Sequence, residues 1–157
     1  MWHYDQSLAL SLNAYGQLAY LNDPVPGTLL PLHFGNNVLG TDSTCQIRID
    51  RYQHEGQCYI SRHHCTLTVS FDKWLGTLRY QLRDGRFDPN NKTIKASLNG
   101  TSINGIALHP TEQIDVADGD IITLGGIDRF RLSHQLIDSI MRETYKVDIA
   151  HNFDQTQ

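Results

Sequence analysis

Three short segments carry most of the residues that could do chemistry. The first is Leu39-Gly40-Thr41-Asp42-Ser43-Thr44-Cys45, and the second is Ile60-Ser61-Arg62-His63-His64. The third is Ser97-Leu98-Asn99-Gly100-Thr101-Ser102-Ile103-Asn104-Gly105. Zinc ligation is the first chemistry to weigh, because His54, Cys58, His63, His64 and Cys65 lie close together. Their spacing matches no structural zinc pattern. Cys65 also shares an alternating face with Leu67, and Cys45 precedes a strand, so both read as buried thiols. Asp115, Asp118 and Asp120 lie close together, but Asp118-Gly119-Asp120 reads as a turn feeding the Ile121–Leu124 strand, and the twelve-residue calcium pattern is lacking. No Gly-x-Ser-x-Gly, Walker loop or His-Glu-x-x-His occurs. What remains is binding: loops that converge at one rim of a rigid scaffold make a recognition surface.

The elements that must hold these loops are strands. Cys65, Leu67, Val69 and Phe71 alternate with Thr66, Thr68 and Ser70. Leu78, Tyr80 and Leu82 alternate with Arg79, Gln81 and Arg83, and Phe130 and Leu132 with Arg129 and Arg131. Shorter alternations run over Leu30, Leu32 and Phe34 and over Ile47 and Ile49. Period two puts one set of side chains in the core and the other in water. Asn104-Gly105, between Ser102-Ile103 and Ile106-Ala107, predicts a two-residue hairpin whose turn positions both need positive φ. Asp84-Gly85, Asn90-Asn91, Asp118-Gly119 and Gly125-Gly126 punctuate the rest. The expected fold class is all-β, an antiparallel β-sandwich with a short C-terminal helix. That helix rests on Leu136, Ile137, Ile140, Met141 and Tyr145, which recur at helical spacing and predict an amphipathic element over 134–146. The expected division is an N-terminal extension at 1–16, the sandwich at 17–132, and helix and tail at 133–157.

Composition narrows the function classes. The chain has 157 residues, a size for one compact domain with short extensions. A net charge of -4 gives no global pull toward nucleic acid or an anionic membrane, and no basic stripe with interleaved aromatics occurs. No apolar run spans a bilayer, and Met1-Trp2-His3-Tyr4-Asp5 lacks the pattern of a signal peptide. Three cysteines with no CxxC spacing fit a reduced, cytoplasmic protein.

The order Gly40, Ser61-Arg62-His63-His64, Asn99 through Gly105, then Asp118-Gly119-Asp120-Ile121-Ile122-Thr123-Leu124-Gly125 resembles the forkhead-associated (FHA) domain. The resemblance covers about residues 17–132. It implies a two-sheet sandwich of about eleven strands that binds phosphothreonine peptides through its loops. It places Ser61 and Arg62 on the phosphate and Asn99 on the peptide main chain. It makes His64 a brace between loops, with Gly40 and Gly100 as structural support.

One position departs from that pattern. Thr41 stands where the family places a phosphate-holding Arg. Phosphothreonine carries about -1.5 to -2 charges near pH 7, and a guanidinium fork meets it with two charge-assisted bonds. Losing a hydrogen bond to a charged group, roughly 1.5–3 kcal/mol, weakens binding roughly 10- to 100-fold. Arg62 is one source of replacement charge, and Arg48 or Arg51 is another. Leu98 also stands where relatives often carry a hydroxyl. The segment 86–96 reads as a long loop whose Lys92 and Lys95 face the peptide. The expected function is therefore a non-catalytic module with no cofactor or metal and a phosphothreonine protein as partner. The alternative is a phosphate-independent interaction module with a degenerate pocket.

Overall fold

The computed structural model describes residues 15–22, 28–50 and 56–135. Thirteen strands are present among them: β1 (Gln17–Tyr20), β2 (Leu29–Pro31), β3 (Gly35–Gly40), β4 (Ile47–Arg48), β5 (Cys65–Asp72), β6 (Thr77–Asp84), β7 (Arg86–Asp88), β8 (Thr93–Lys95), β9 (Thr101–Ile103), β10 (Ile106–Ala107), β11 (Gln113–Asp115), β12 (Ile121–Leu124) and β13 (Asp128–Ser133). One sheet runs β10-β9-β12-β13-β1-β2 and the other β11-β6-β5-β3-β4, with β7 and β8 forming a separate hairpin. The two large sheets face each other as a β-sandwich and together hold eleven strands.

The alternation read from the sequence sets the register. Leu67 opposes Leu82, and Val69 opposes Tyr80, across β5 and β6. Ile122 opposes Phe130 across β12 and β13, and Leu18 opposes Leu132 across β1 and β13. These inward residues from both sheets merge into one core with Leu39, Ile47, Ile49 and Cys65. The outward partners, such as Arg79 and Arg129, stay in water. Asn37 is the polar exception in the middle of β3. Its Oδ1 accepts from the His33 amide, and its Nδ2 donates to carbonyls of His33, Gly35 and Leu67, so its burial leaves no dangling group.

The Asn104-Gly105 hairpin forms as its residue types require. Ile103 pairs with Ile106, and φ is 49° at Asn104 and 84° at Gly105. Asn104 does more than turn the chain. Its side chain donates to Asp120 Oδ1 at 3.0 Å and accepts from the Ile121 amide at 2.9 Å, tying this hairpin to the Asp118-Gly119-Asp120 turn.

Two expectations change, and a third falls largely outside the described residues. The sandwich is not wholly antiparallel, because β4 pairs parallel to β3, with Leu39 opposite Ile47. A loop of six residues lets the chain return to the same edge in the same direction, which alternation alone does not reveal. The segment 86–96 is not a plain loop but the β7–β8 hairpin, with Arg86 opposite Lys95. The helix expected over 134–146 lies outside the described residues from 136 onward. At its start, His134 and Gln135 are not helical: the His134 ring stacks on Tyr80 with centroids 4.1 Å apart, and the Gln135 amide donates to the Tyr80 hydroxyl. The N-terminal extension is described only at Tyr15 and Gly16. Among the described residues no helix is long and apolar enough to cross a membrane.

Leu67 sits fully buried at the centre of the core, so Leu67→Ala should cost about 2–5 kcal/mol in urea unfolding. Arg79→Ala, which removes only an exposed pair with Asp115 at 3.1 Å, should cost about 1 kcal/mol or less in the same titration. Equal costs would mean that the inward face is not the one assigned.

Candidate functional site

The three loops do converge, and backbone hydrogen bonds hold them together. The Thr41 amide donates to the Ser61 carbonyl at 3.3 Å, and the Asp42 amide to the Arg62 carbonyl at 3.1 Å. The Leu98 amide donates to Ser61 Oγ at 3.1 Å, and Asn99 Nδ2 to the Tyr59 carbonyl at 3.1 Å. The first loop therefore touches the second, and the second touches the third. Gly40 is required at this crossing, because a Cβ there would overlap the Arg62 carbonyl. The Cys45 thiol donates to that same carbonyl at 3.1 Å.

His64 ties the loops across the two sheets. Its Nδ1 accepts from the Ser61 amide at 2.9 Å, and its Nε2 meets the Gly100 carbonyl at 2.7 Å. A carbonyl only accepts, so the proton sits on Nε2 and the ring is neutral. The backbone of His64 extends the brace: its amide donates to Leu39 and its carbonyl accepts from Gly85. Burial pushes the imidazole below its ordinary value, opposed by the Gly100 carbonyl and the Asp84 and Asp128 carboxylates.

Asp84 organises the third loop from beneath. It is buried, and its oxygens accept from Ser97 Oγ at 2.6 Å, Thr101 Oγ1 at 2.6 Å and the Ser97 amide at 3.1 Å. Ser97 Oγ in turn accepts from the Gly100 amide, and the Gly100 carbonyl also accepts from Gly125. A carboxylate held by three donors shapes the tight Ser97–Thr101 turn, so Asn99 stands out at the surface.

Between the second and third loops lies an open groove of about 520 Å³. Its walls are Ser61, Arg62 and His63 on one side, Ser97 and Leu98 on the other, and Arg86 and Lys95 of the β7–β8 hairpin. Three cations and no carboxylate line it. Arg62 is well exposed, and its guanidinium lies 3.5 Å from Asp42 Oδ1. Asp42 also accepts from Thr44 Oγ1, the main reason its carboxyl is held below the usual range. His63 is pushed down by burial first, then by Arg86, with Arg62 and Lys95 adding to the positive field.

The expected site residues divide. Ser61 and Arg62 line the groove, whereas Asn99, exposed next to the lining Leu98 and bonded to Tyr59, is not part of its wall. Thr41 is joined to Ser61 through the backbone, but its side chain does not line the groove. Arg48 reaches the Thr41 carbonyl at 3.4 Å and stays outside the groove, while Arg51 lies outside the described residues. Lys95 lines the groove, and Lys92 sits exposed at the hairpin turn with φ 55°. Arg86 also lines the groove, though its place in the sequence pattern does not single it out. The available signal was a strand residue just after Asp84-Gly85 and a turn at Asn90-Asn91 between Phe87 and Ile94.

The neutral His64 ring makes folding pH-dependent. The unfolded chain takes up the proton near pH 6.5, while the folded ring resists it. Its contribution is therefore complete above that pH and is lost as pH falls through the lower folded value. Calorimetric Tm should fall between pH 7.5 and 5.5, and more steeply for the wild type than for His64→Gln. Parallel pH profiles would show that the ring is not the coupled group.

Comparison with known proteins places this frame. The model of the family described as FHA domain matches residues 37–125. No curated protein matches the chain in sequence. Among solved structures, the MEK1 FHA domain is 16% identical, with TM-score 0.58, covering 86% of this chain and 100% of that one. The N-terminal FHA domain of S. cerevisiae Rad53p, solved with a phosphothreonine peptide, is 14% identical with TM-score 0.57, covering 77% and 94%. The FHA domain of an Arabidopsis thaliana hypothetical protein is 22% identical with TM-score 0.56, covering 80% and 89%. At such identities the likeness is one of fold. The family match, by contrast, takes in more than half of the chain and all three loops of the groove, and by that measure the chain belongs to the FHA domain family.

Proposed function

We propose that this chain is a non-catalytic module that recognises phosphothreonine in a partner protein through the groove between its second and third loops. The observation that carries the reading is the groove's charge: Arg62, Arg86 and Lys95 with the Ser61 and Ser97 hydroxyls and no acid in the wall. A phosphomonoester is dianionic near neutral pH and seeks such a lining. Ser61 Oγ accepts from Leu98, which leaves its O–H free to donate to a phosphate oxygen. Arg62 adds a guanidinium whose exposure and distance to Asp42 let it turn to a ligand. Asn99 gives its amide nitrogen to Tyr59 and keeps its carbonyl oxygen for a peptide N–H. Thr41 offers at most a neutral group beside Ser61, and Gly40, His64 and Gly100 hold the loops in place.

Relatives in fold support the reading, since the Rad53p domain was solved with a phosphothreonine peptide. A binding module of this kind acts by tethering or competition in signalling. Buried thiols at Cys45 and Cys65 suit a reducing, cytoplasmic setting. The sandwich at 17–132 is the binding unit, flanked by extensions at 1–16 and 133–157.

Fluorescence polarisation against a degenerate phosphothreonine peptide pool, before and after phosphatase, tests this directly. Binding should require the phosphate, and Ser61→Ala should weaken it roughly 10-fold or more. Equal binding of the dephosphorylated pool would instead favour a phosphate-independent interaction surface.

A further inference from the structure

The cations of the groove are not equivalent. Arg62 lies 3.5 Å from Asp42, so part of its charge is already matched. Lys95 is exposed, and its ammonium has no ion pair or hydrogen bond among the described residues. Arg86 is half-buried, and its Nε has no hydrogen-bond partner among the described residues. Asp88 is the carboxylate that feels Arg86, but its oxygens already accept from the Asn90 amide at 2.9 Å and Asn91 Nδ2 at 3.0 Å. Asp88 also lies outside the groove wall. Arg86 and Lys95, neither of them in an ion pair among the described residues, therefore both line the groove, and both come from the hairpin.

The hairpin is well placed to deliver them. Arg86 and Lys95 oppose each other at its base, the first register pair of β7 and β8. That base is bonded to the loop beside it: the Gly85 amide donates to the His64 carbonyl at 2.7 Å, and Thr66 Oγ1 donates to the Gly85 carbonyl at 2.8 Å. The brace that positions Ser61 thus positions the hairpin base as well. His63 lines the same groove; burial lowers its imidazole first and Arg86 next, against the raising effect of Asp42 at 3.2 Å.

We infer that Arg86 and Lys95 form the principal phosphate grip of this domain, replacing in space the charge that Thr41 does not supply. This rests on the phosphothreonine reading above and deepens it. The charge count fits: two hairpin cations meet a ligand of about -1.5 to -2. The grip comes from the second and third loops and the hairpin, and the first loop serves as structure. The Arg86 Nε is buried, so its terminal guanidinium nitrogens are the prongs offered to phosphate oxygens, and Lys95 adds a mobile point charge.

The test is polarisation binding of the degenerate phosphothreonine pool to wild type, Arg86→Gln, Lys95→Gln, the double variant, Ser61→Ala and Lys73→Ala. Lys73 lies in the β5–β6 turn away from the groove. Arg86→Gln should weaken binding about 10-fold or more, and the double variant about 100-fold. Lys73→Ala should leave it unchanged, and Thr41→Arg in the Arg86→Gln background should recover much of the loss. If the hairpin variants bind within twofold of wild type while Ser61→Ala fails, the hairpin grip is wrong and the phosphothreonine reading stands. If wild type binds the dephosphorylated pool equally well, both fall. Should Arg86→Gln lower Tm, the wild-type Arg86 side-chain Nε–H NMR signal decides: a shift on saturation with the pool supports the grip, and no shift overturns it.

Discussion

One imidazole holds the recognition rim in shape. The loops that meet there come from different sheets: Ser61 and His64 lead into β5 of the five-stranded sheet, and Gly100 leads into β9 of the six-stranded sheet. Among the described residues, no strand pairing joins the two at this end of the sandwich. His64 does so instead, accepting from Ser61 on one ring nitrogen and donating to Gly100 from the other. Only a neutral imidazole, acceptor at one nitrogen and donor at the other, makes this bridge. A charged ring would set two N–H groups facing each other at Ser61. Burial keeps the proton off, so the environment that hides the ring also maintains its hydrogen-bond pattern.

A second buried group completes the frame. Asp84, at the end of β6, gathers Ser97 and Thr101 around its carboxylate and so folds the third loop over the core. Burying a charge costs several kcal/mol unless donors surround it, and here three donors do. The residues that touch a ligand can therefore vary without loss of shape. Position 41 is held by the hydrogen bond from its amide to the Ser61 carbonyl, and Gly40 carries the close approach to Arg62. Binding charge and loop geometry reside on different residues. That separation leaves room for the β7–β8 hairpin to line the groove.

Much of this was open to reading along the chain. Cys65, Leu67 and Val69 fell inward, as their alternation with threonines demands, because burial of apolar surface dominates strand orientation. Asn104-Gly105 turned as a two-residue hairpin, because those residue types tolerate positive φ and few others do. The β7–β8 hairpin was harder. Its strands are three residues each, and its turn at Asn90-Asn91-Lys92 places a lysine at φ 55°, a residue type with no bias for that region. Half-exposed Phe87 and Ile94 gave too little contrast for a period to stand out. The parallel pairing of β3 and β4 escaped for another reason: alternation says which way a side chain faces and is silent on strand direction.

The chain alone determined an all-β frame, its turns, and the short motifs at 61–64 and 99–105, since these depend on residue type and near neighbours. Which cations share the groove was decided only in three dimensions. Arg86 lies 24 positions from Arg62, and Lys95 lies 33 positions from it, yet all three line one groove. Arg48 follows the first loop closely in sequence, yet it reaches the Thr41 carbonyl from outside that groove. Electrostatic attraction falls with distance through space, and distance along a folded strand is no guide to it.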